Sequence, residues 1–437
     1  MQSNIEKFVI SKRKDRDLVT LFWFGFVLYT VAYSISMTEQ VNYIICQIFQ
    51  SIGLLTLVIT TMNLATFKIE NKYLQGLFFF YIIWLSIVVI RGISFDYTFV
   101  KRMLFDQWYG LLPYFTPLFI FFPKNLYWYK KLFQAILILC IAFIVYDLLF
   151  LPFLMNSDPK DFLSQTIYDY FASTLAITAI FILFTYKYNS KTMIYLALFT
   201  IGLLLFFGLV RGRRGTLALT MVGTVMAYFL FVSQSKQKLS LILVSFVGGV
   251  LLLIFGLAFV KVDNIGLFSL ILERGFEDTR SGVEECLIND LSGIEWLIGR
   301  GMSGEYFCPG IDIDNMTGYR DTMETDFLQY ILKGGIISLA LFLLIAVPAM
   351  FKGLFKSKNL LSKAAGLWIL FALLSMYPTP VNSFSMQYVL VWIAIGICYS
   401  KDLRYLPEEI LVRYFKNTKG YSTGRLTFEE KKPETKK

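Results

Sequence analysis

Leu209-Val210-Arg211-Gly212-Arg213-Arg214-Gly215-Thr216 lies between two apolar runs, 192–209 and 215–233. The reading of this boundary decides the fold. Each run reaches the roughly 17–25 residues that carry a helix across a bilayer. Three arginines between two spans are ordinary on the cytoplasmic side. On the outer side they oppose the bias that keeps Lys and Arg inside, and something has to hold them there.

The composition is that of an integral membrane protein: 56% apolar residues, 17% aromatic and only 16% charged in 437 residues. We read an all-α fold, a polytopic transmembrane helical bundle of twelve helices. The expected spans are 18–36, 43–62, 73–90, 108–122, 132–152, 167–186, 192–209, 215–233, 239–260, 326–350, 360–377 and 384–400. The fourth carries Pro113 and Pro117 and is expected to be kinked or tilted. The organisation expected is an N-terminal segment 1–17, nine spans over 18–260, one large structured external loop 261–325, three spans over 326–400, and a basic tail 401–437.

Charge sets the frame. With the N-terminal Lys7, Lys12, Arg13, Lys14 and Arg16 in the cytoplasm, the inner loops hold Lys68/Lys72, Lys124/Lys130/Lys131, Lys187/Lys191, Lys236/Lys238 and Lys352/Lys356/Lys358/Lys363. The tail adds ten more, so 28 of the 41 Lys and Arg residues lie inside. The outer loops are poor in charge: Glu39 alone in the first, none in 378–383. Shifting the frame by one helix would destroy this alternation. Both termini are then cytoplasmic, and the first apolar run reads as an uncleaved first helix rather than a signal peptide. The net charge of +10 reports orientation and contact with anionic headgroups of the lipid bilayer rather than with nucleic acid. The end of the tail, from Arg413, is polar and expected to be disordered.

In this frame Arg211, Arg213 and Arg214 are outside, as are Arg91, Lys101 and Arg102 between the third and fourth spans. One reading is a cluster snorkelling to headgroups. The other is an anion pocket. Glycines flanking the arginines let backbone N–H groups approach an anion, and guanidinium suits bidentate contact with phosphate. Acids gather at the same level: Asp147, Asp169, Glu324 and Asp326 all fall near outer helix ends. A lipid-linked phosphate or pyrophosphate is the anion expected there.

The loop 261–325 is acidic, and helical apolar spacing appears over Leu267–Arg274 and Val283–Ile298, ending at Gly299 and Gly301. Cys286 and Cys308 lie in it and, facing an oxidising compartment, are candidates for a disulfide worth roughly 3 kcal/mol in the chain-entropy model. Cys46, Cys140 and Cys398 fall in spans and read as packing residues. The chain has no histidine, so a general base must be a carboxylate, a tyrosine or a lysine, and no metal-ligand spacing is present.

Three short motifs in this layout resemble the O-antigen ligase/polymerase superfamily of bacterial membrane glycosyltransferases. The family's Ser-Arg-Gly and small apolar residues opening a helix are matched by Arg213-Arg214-Gly215-Thr216-Leu217-Ala218, with Arg214 on the arginine and Arg213 in place of serine. Its loop arginine before a Trp-containing helix and a Gly-x-Gly turn is matched by Arg280 and Trp296-Leu297-Ile298-Gly299-Arg300-Gly301. The motif opening the next helix is matched by Glu324-Thr325-Asp326-Phe327-Leu328, then Gly334-Gly335. Glu324 stands where ligases carry histidine, which favours the polymerase members.

The resemblance implies polymerisation of oligosaccharide repeats carried on undecaprenyl pyrophosphate, at the outer leaflet of a bacterial cytoplasmic membrane. The product would be O-antigen, capsule or exopolysaccharide. Displacement at the anomeric carbon needs a base on the acceptor hydroxyl and charge stabilisation on the departing pyrophosphate. Glu324 is the candidate base and Asp326 the reserve. Arg211, Arg214 and Arg280 are the first candidates for the pyrophosphate, with Arg91, Arg102, Arg213 and Arg320 behind them. No metal and no cofactor is expected, and one base opposite a leaving group implies inversion. A chain-length regulator is a partner implied by the resemblance alone. The alternatives are a ligase that moves finished glycan to another acceptor, and a lipid-oligosaccharide flippase or transporter.

Overall fold

The computed structural model describes residues 13–156, 158, 161–235, 237, 280–310 and 317–416. The described residues are mostly helical, with almost no strand. α1 (Arg13–Ser36), α2 (Tyr43–Leu64), α3 (Lys72–Gly92) and a short α4 (Tyr97–Phe105) lead to α5 (Leu112–Phe121), whose second half is 3₁₀. Then follow α6 (Leu126–Leu149), α7 (Phe162–Phe184, with a π turn at Ala172–Ala176), α8 (Lys191–Val210) and α9 (Arg214–Gln234). After the undescribed stretch come α10 (Ser281–Asp290), α11 (Glu295–Ile298) and a two-stranded antiparallel pair, β1 (Tyr306–Phe307) with β2 (Tyr319–Arg320). α12 (Asp326–Phe355), α13 (Leu360–Ser375), α14 (Met386–Tyr399) and α15 (Glu408–Lys416) complete it.

Helix starts are set by side-chain caps. Asn42, Asn71, Asn125, Ser190 and Asn359 each accept a hydrogen bond from a first-turn backbone N–H, satisfying donors that have no intrahelical partner.

Eight helices among the described residues are long and apolar enough to cross a membrane: α1, α2, α3, α6, α7, α8, α9 and α12. α5, α13 and α14 are shorter apolar helices, and the expected span 239–260 lies outside the described residues, as does Leu267–Arg274. The fourth expected span is thus a ten-residue element, shortened by Pro113 and Pro117, which remove backbone donors from its helix ladder. α14 is short because the connection before it turns inward. Val381, Ser383, Phe384 and Ser385 are buried, and Phe384 packs on Phe26 and Tyr29 in the body of α1. Non-helical backbone at this depth needs protein partners. Gln107 supplies them, donating from Nε2 to Phe384 O (2.6 Å) and accepting at its own carbonyl from Phe384 N (2.7 Å).

Connections segregate to two ends. At one end Thr66 N bonds Phe121 O (3.0 Å), the Tyr188 hydroxyl donates to Glu408 (3.1 Å), Asn359 donates to Leu403 O (2.7 Å), and Tyr186 packs on Phe231 near the end of α9. At the other end Arg102 pairs with Asp321, Arg280 reaches Pro378, and the start of α9 abuts that same proline. The described chain therefore leaves α9 at the first end and resumes at Arg280 at the second.

Three elements differ from the sequence reading. Val283–Ile298 is two helices, because the chain turns through Leu291–Ile294 where the Arg300 guanidinium gathers Asp290 and Glu295. α4 occupies what reads as plain loop, capped by Asp96. The tail, expected to be disordered from Arg413, is helical over α15 to Lys416, and 417–437 lies outside the described residues. α15 is amphipathic and buries Leu411, Tyr414 and Phe415, the last against Phe133 and Tyr188.

Candidate functional site

The centre of the second end is the turn between α13 and α14. Arg280, just before α10, donates to Tyr377 O (3.1 Å) and Pro378 O (2.6 Å) and from Nε to Glu324 Oε2 (3.2 Å). Glu324 stays accessible, its side chain 53% exposed. Beside it the Thr325 hydroxyl donates to Glu284 of α10 (2.5 Å). The same turn meets α9: a Cβ built on Gly215 would sit 3.1 Å from Pro378 O. Any side chain larger than hydrogen would have to push the two backbones apart. Arg214, which opens α9, is thereby one residue from the turn that Arg280 holds. Arg280 and the motif carboxylate Glu324 meet at Tyr377-Pro378, and the backbone of Gly215, next to Arg214, abuts the same turn.

Asp326 has another task. It is buried, its N–H donates to Met376 O (2.8 Å), and its Oδ2 accepts from Asn382 N (3.0 Å). It staples the two ends of the turn together and is buried where Glu324 is accessible. Arg211 is likewise buried. Its guanidinium donates to Asn156 O (2.5 Å) and Asp158 O (3.1 Å), tying the connection after α6 to the end of α8. Arg91 caps α11 through Ile298 O (2.8 Å) and Gly299 O (2.7 Å). Both arginines donate to carbonyls that no helix satisfies.

Arg213 and Arg102 face carboxylates. Arg213 grips Asp169 with two N–H groups, one from Nε at 2.8 Å, and reaches Gln165 (3.2 Å). Arg102 pairs with Asp321 (2.5 Å) and lies 3.6 Å from Asp106. Burial works against the Arg102 charge, but Asp321 more than offsets it and holds the guanidinium above its ordinary value. Arg320 lies on β2, opposite Tyr306. Cys286 of α10 and Cys308 after β1 are joined as a disulfide, Cα–Cα 5.3 Å, which ties the helix behind Arg280 to the strand pair. Among the described residues no three His, Cys, Asp or Glu side chains come together as ligands for a metal ion.

A small cavity lies at the same end, lined by Tyr81, Tyr114, Tyr330, Tyr388, Lys333 and Asn382 among others. The Tyr330 and Tyr388 hydroxyls bond each other, and Lys333 Nζ donates to Gly304 O (2.9 Å). These residues escaped the sequence reading. A lysine inside an apolar span, immediately before Gly334-Gly335, is the signal that could have found them.

The chain matches no family model, no curated protein and no solved structure. The motif likeness therefore rests on the residues alone, and the geometry around Pro378 is the independent ground for a function.

Proposed function

We propose that this chain is a membrane glycosyltransferase that polymerises oligosaccharide repeats carried on undecaprenyl pyrophosphate. It works at the outer leaflet of a bacterial cytoplasmic membrane, with twelve spans, both termini inside and 261–325 outside. The observation that carries the reading is the Arg280–Glu324 pair beside the start of α9. It puts an accessible carboxylate, a guanidinium that fixes it, and the Arg214 end of a helix around one turn.

In the reaction Glu324 accepts the proton of the acceptor hydroxyl. The hydroxyl oxygen bonds to the anomeric carbon of the donor glycan as the bond from that carbon to the pyrophosphate oxygen breaks. The electron pair leaves on undecaprenyl pyrophosphate, whose charge Arg214 and the N–H groups at the start of α9 stabilise. Arg280 holds Glu324 on the opposite side of the sugar, so the product is inverted. The energy is that of the broken pyrophosphate linkage, and the arginines supply the positive charge, so the scheme calls for neither metal nor nucleotide.

The test is elongation by the purified full chain in nanodiscs. Undecaprenyl-pyrophosphate-linked repeat from the source cell is expected to become a ladder of longer lipid-linked glycans, with undecaprenyl pyrophosphate released once per step. Unchanged single repeats with the active-site residues intact would contradict it.

One feature favours a second reading. α12 breaks at Gly335 next to Lys333 and the tyrosine cavity, and discontinuous spans are where carriers place their sites. A carrier would move the lipid-linked repeat between leaflets of a sealed vesicle without lengthening it.

A further inference from the structure

α11 and the turn before it carry bulky apolar side chains that nothing among the described residues covers. Ile294 is 66% and Leu297 52% exposed, on a segment expected to face water. Their position explains it. The main chain that follows is wedged between the last turn of α3 and the break in α12. Met302 N donates to Val88 O (2.9 Å), Arg300 N to Leu332 O (2.8 Å), and Gly301 N to Lys333 O (2.8 Å). Arg91 holds the carbonyls that end α11, and Leu297 O lies against Gly335.

This fixes the level of α11 relative to the spans. Val88 is a full turn inside the end of α3, and Ile90, beside Arg91, is 71% exposed on the face α3 turns away from the bundle. Ile336, which follows Gly335, is also exposed. The uncovered side chains of α11 thus continue an apolar surface that already runs along two candidate spans. Phe95 and Tyr97, almost fully exposed just past α3, are placed as interfacial aromatics are.

The charges of the segment are arranged for a dry setting. Arg300 holds both oxygens of Glu295 (3.0 and 2.9 Å), the carboxylate of Asp290, and the carbonyls of Asp290 (2.8 Å) and Glu305 (2.7 Å). Acid and base thus satisfy one another within the protein.

We infer that the 291–298 segment docks on the bilayer, with Ile294 and Leu297 in the acyl-chain region of the leaflet at the loop end. The loop is an interfacial element, in the manner of helices that bury an apolar face at the headgroup boundary. The inference rests on α3 and α12 being membrane spans and is independent of any transfer chemistry.

Nitroxide labels test it, on the full chain in lipid nanodiscs with the native cysteines in place. Variants that each add one cysteine, Ile294→Cys and Leu297→Cys, are compared with Ile90→Cys on the lipid face and Gln40→Cys on an exposed connection, the native free cysteines Cys46, Cys140 and Cys398 being buried. The ratio of collisions with oxygen to collisions with a water-soluble nickel chelate is expected to be several-fold higher at 294 and 297 than at 40, and close to that at 90. Ratios at 294 and 297 that follow 40 while 90 reads as lipid would place the loop in water and overturn the inference. A water-like ratio at 90 would overturn it as well, by removing α3 from the bilayer.

Discussion

Arg211, Arg213 and Arg214 are neighbours in the chain and end in different surroundings. Arg211 is buried on backbone carbonyls, Arg213 is gripped to Asp169, and Arg214 begins α9 beside the Pro378 turn. Charge counting could place all three at one membrane boundary. It could not say which guanidinium turns into the protein, because that depends on which distant carbonyls lack partners. Asp326 shows the same limit: two residues from Glu324, its environment is opposite. A residue-scale prediction follows from Arg300. Replacing it with alanine removes the guanidinium from Asp290 and Glu295 and leaves them only the weaker donors Phe307 N–H and Ser292. The loop is expected to lose about 2 kcal/mol, read as faster limited proteolysis within 281–310. Hydrogen bonds from Arg300, then from Ser292 N–H, hold Glu295 down to about 2, against 4.5 in an unfolded chain. A depressed carboxylate stabilises fully above its unfolded value, and that stability fades as pH falls from about 4.5 towards 2. Protease resistance of the loop is expected to fade across that interval in the native chain, and Arg300→Ala is expected to lose this pH dependence.

Apolar runs announced the helices well, since a span must satisfy its backbone internally and that demand is written as length and hydropathy. Breaks were less legible. α12 reads as one continuous span, yet Gly335 takes φ +68° and the helix changes direction there. The two adjacent glycines were visible, but their purpose lies 35 residues away. Gly299 and Leu297 pack so closely on Gly335 that a Cβ there would sit 1.9 Å from Leu297 O. The carbonyls freed by the break are met by Arg300 N, Gly301 N and, at Gly334 O, by Trp84 Nε1 (2.9 Å). The loop turn and the kink are thus one joint built from two glycine pairs. Gly335→Ala combines a left-handed backbone with a clash that no flexible side chain can relieve. It is expected to cost at least roughly 3 kcal/mol, seen as loss of monodisperse protein after detergent extraction. The α13–α14 connection was illegible for a related reason: it dips inward only because Gln107 and Asp326 can satisfy it.

At the scale of the whole molecule the described connections gather at two ends: Thr66 with Phe121 and Asn359 with Leu403 at one, Arg102 with Asp321 and Arg280 with Pro378 at the other. What the sequence could not supply is the centre of that end, because Tyr377-Pro378 bears no charge and attracts attention only once Arg280, Glu324 and Gly215 are seen to share it. The account therefore stands on that convergence, and its most direct test removes the two side chains assigned to chemistry while sparing those that hold the turn. Glu324→Gln and Arg214→Ala, each shown to reach the membrane at native levels, are to be compared with the native chain by surface-polysaccharide gel. We predict that both variants accumulate single repeats and lose the long chains; long chains persisting in both would contradict the account.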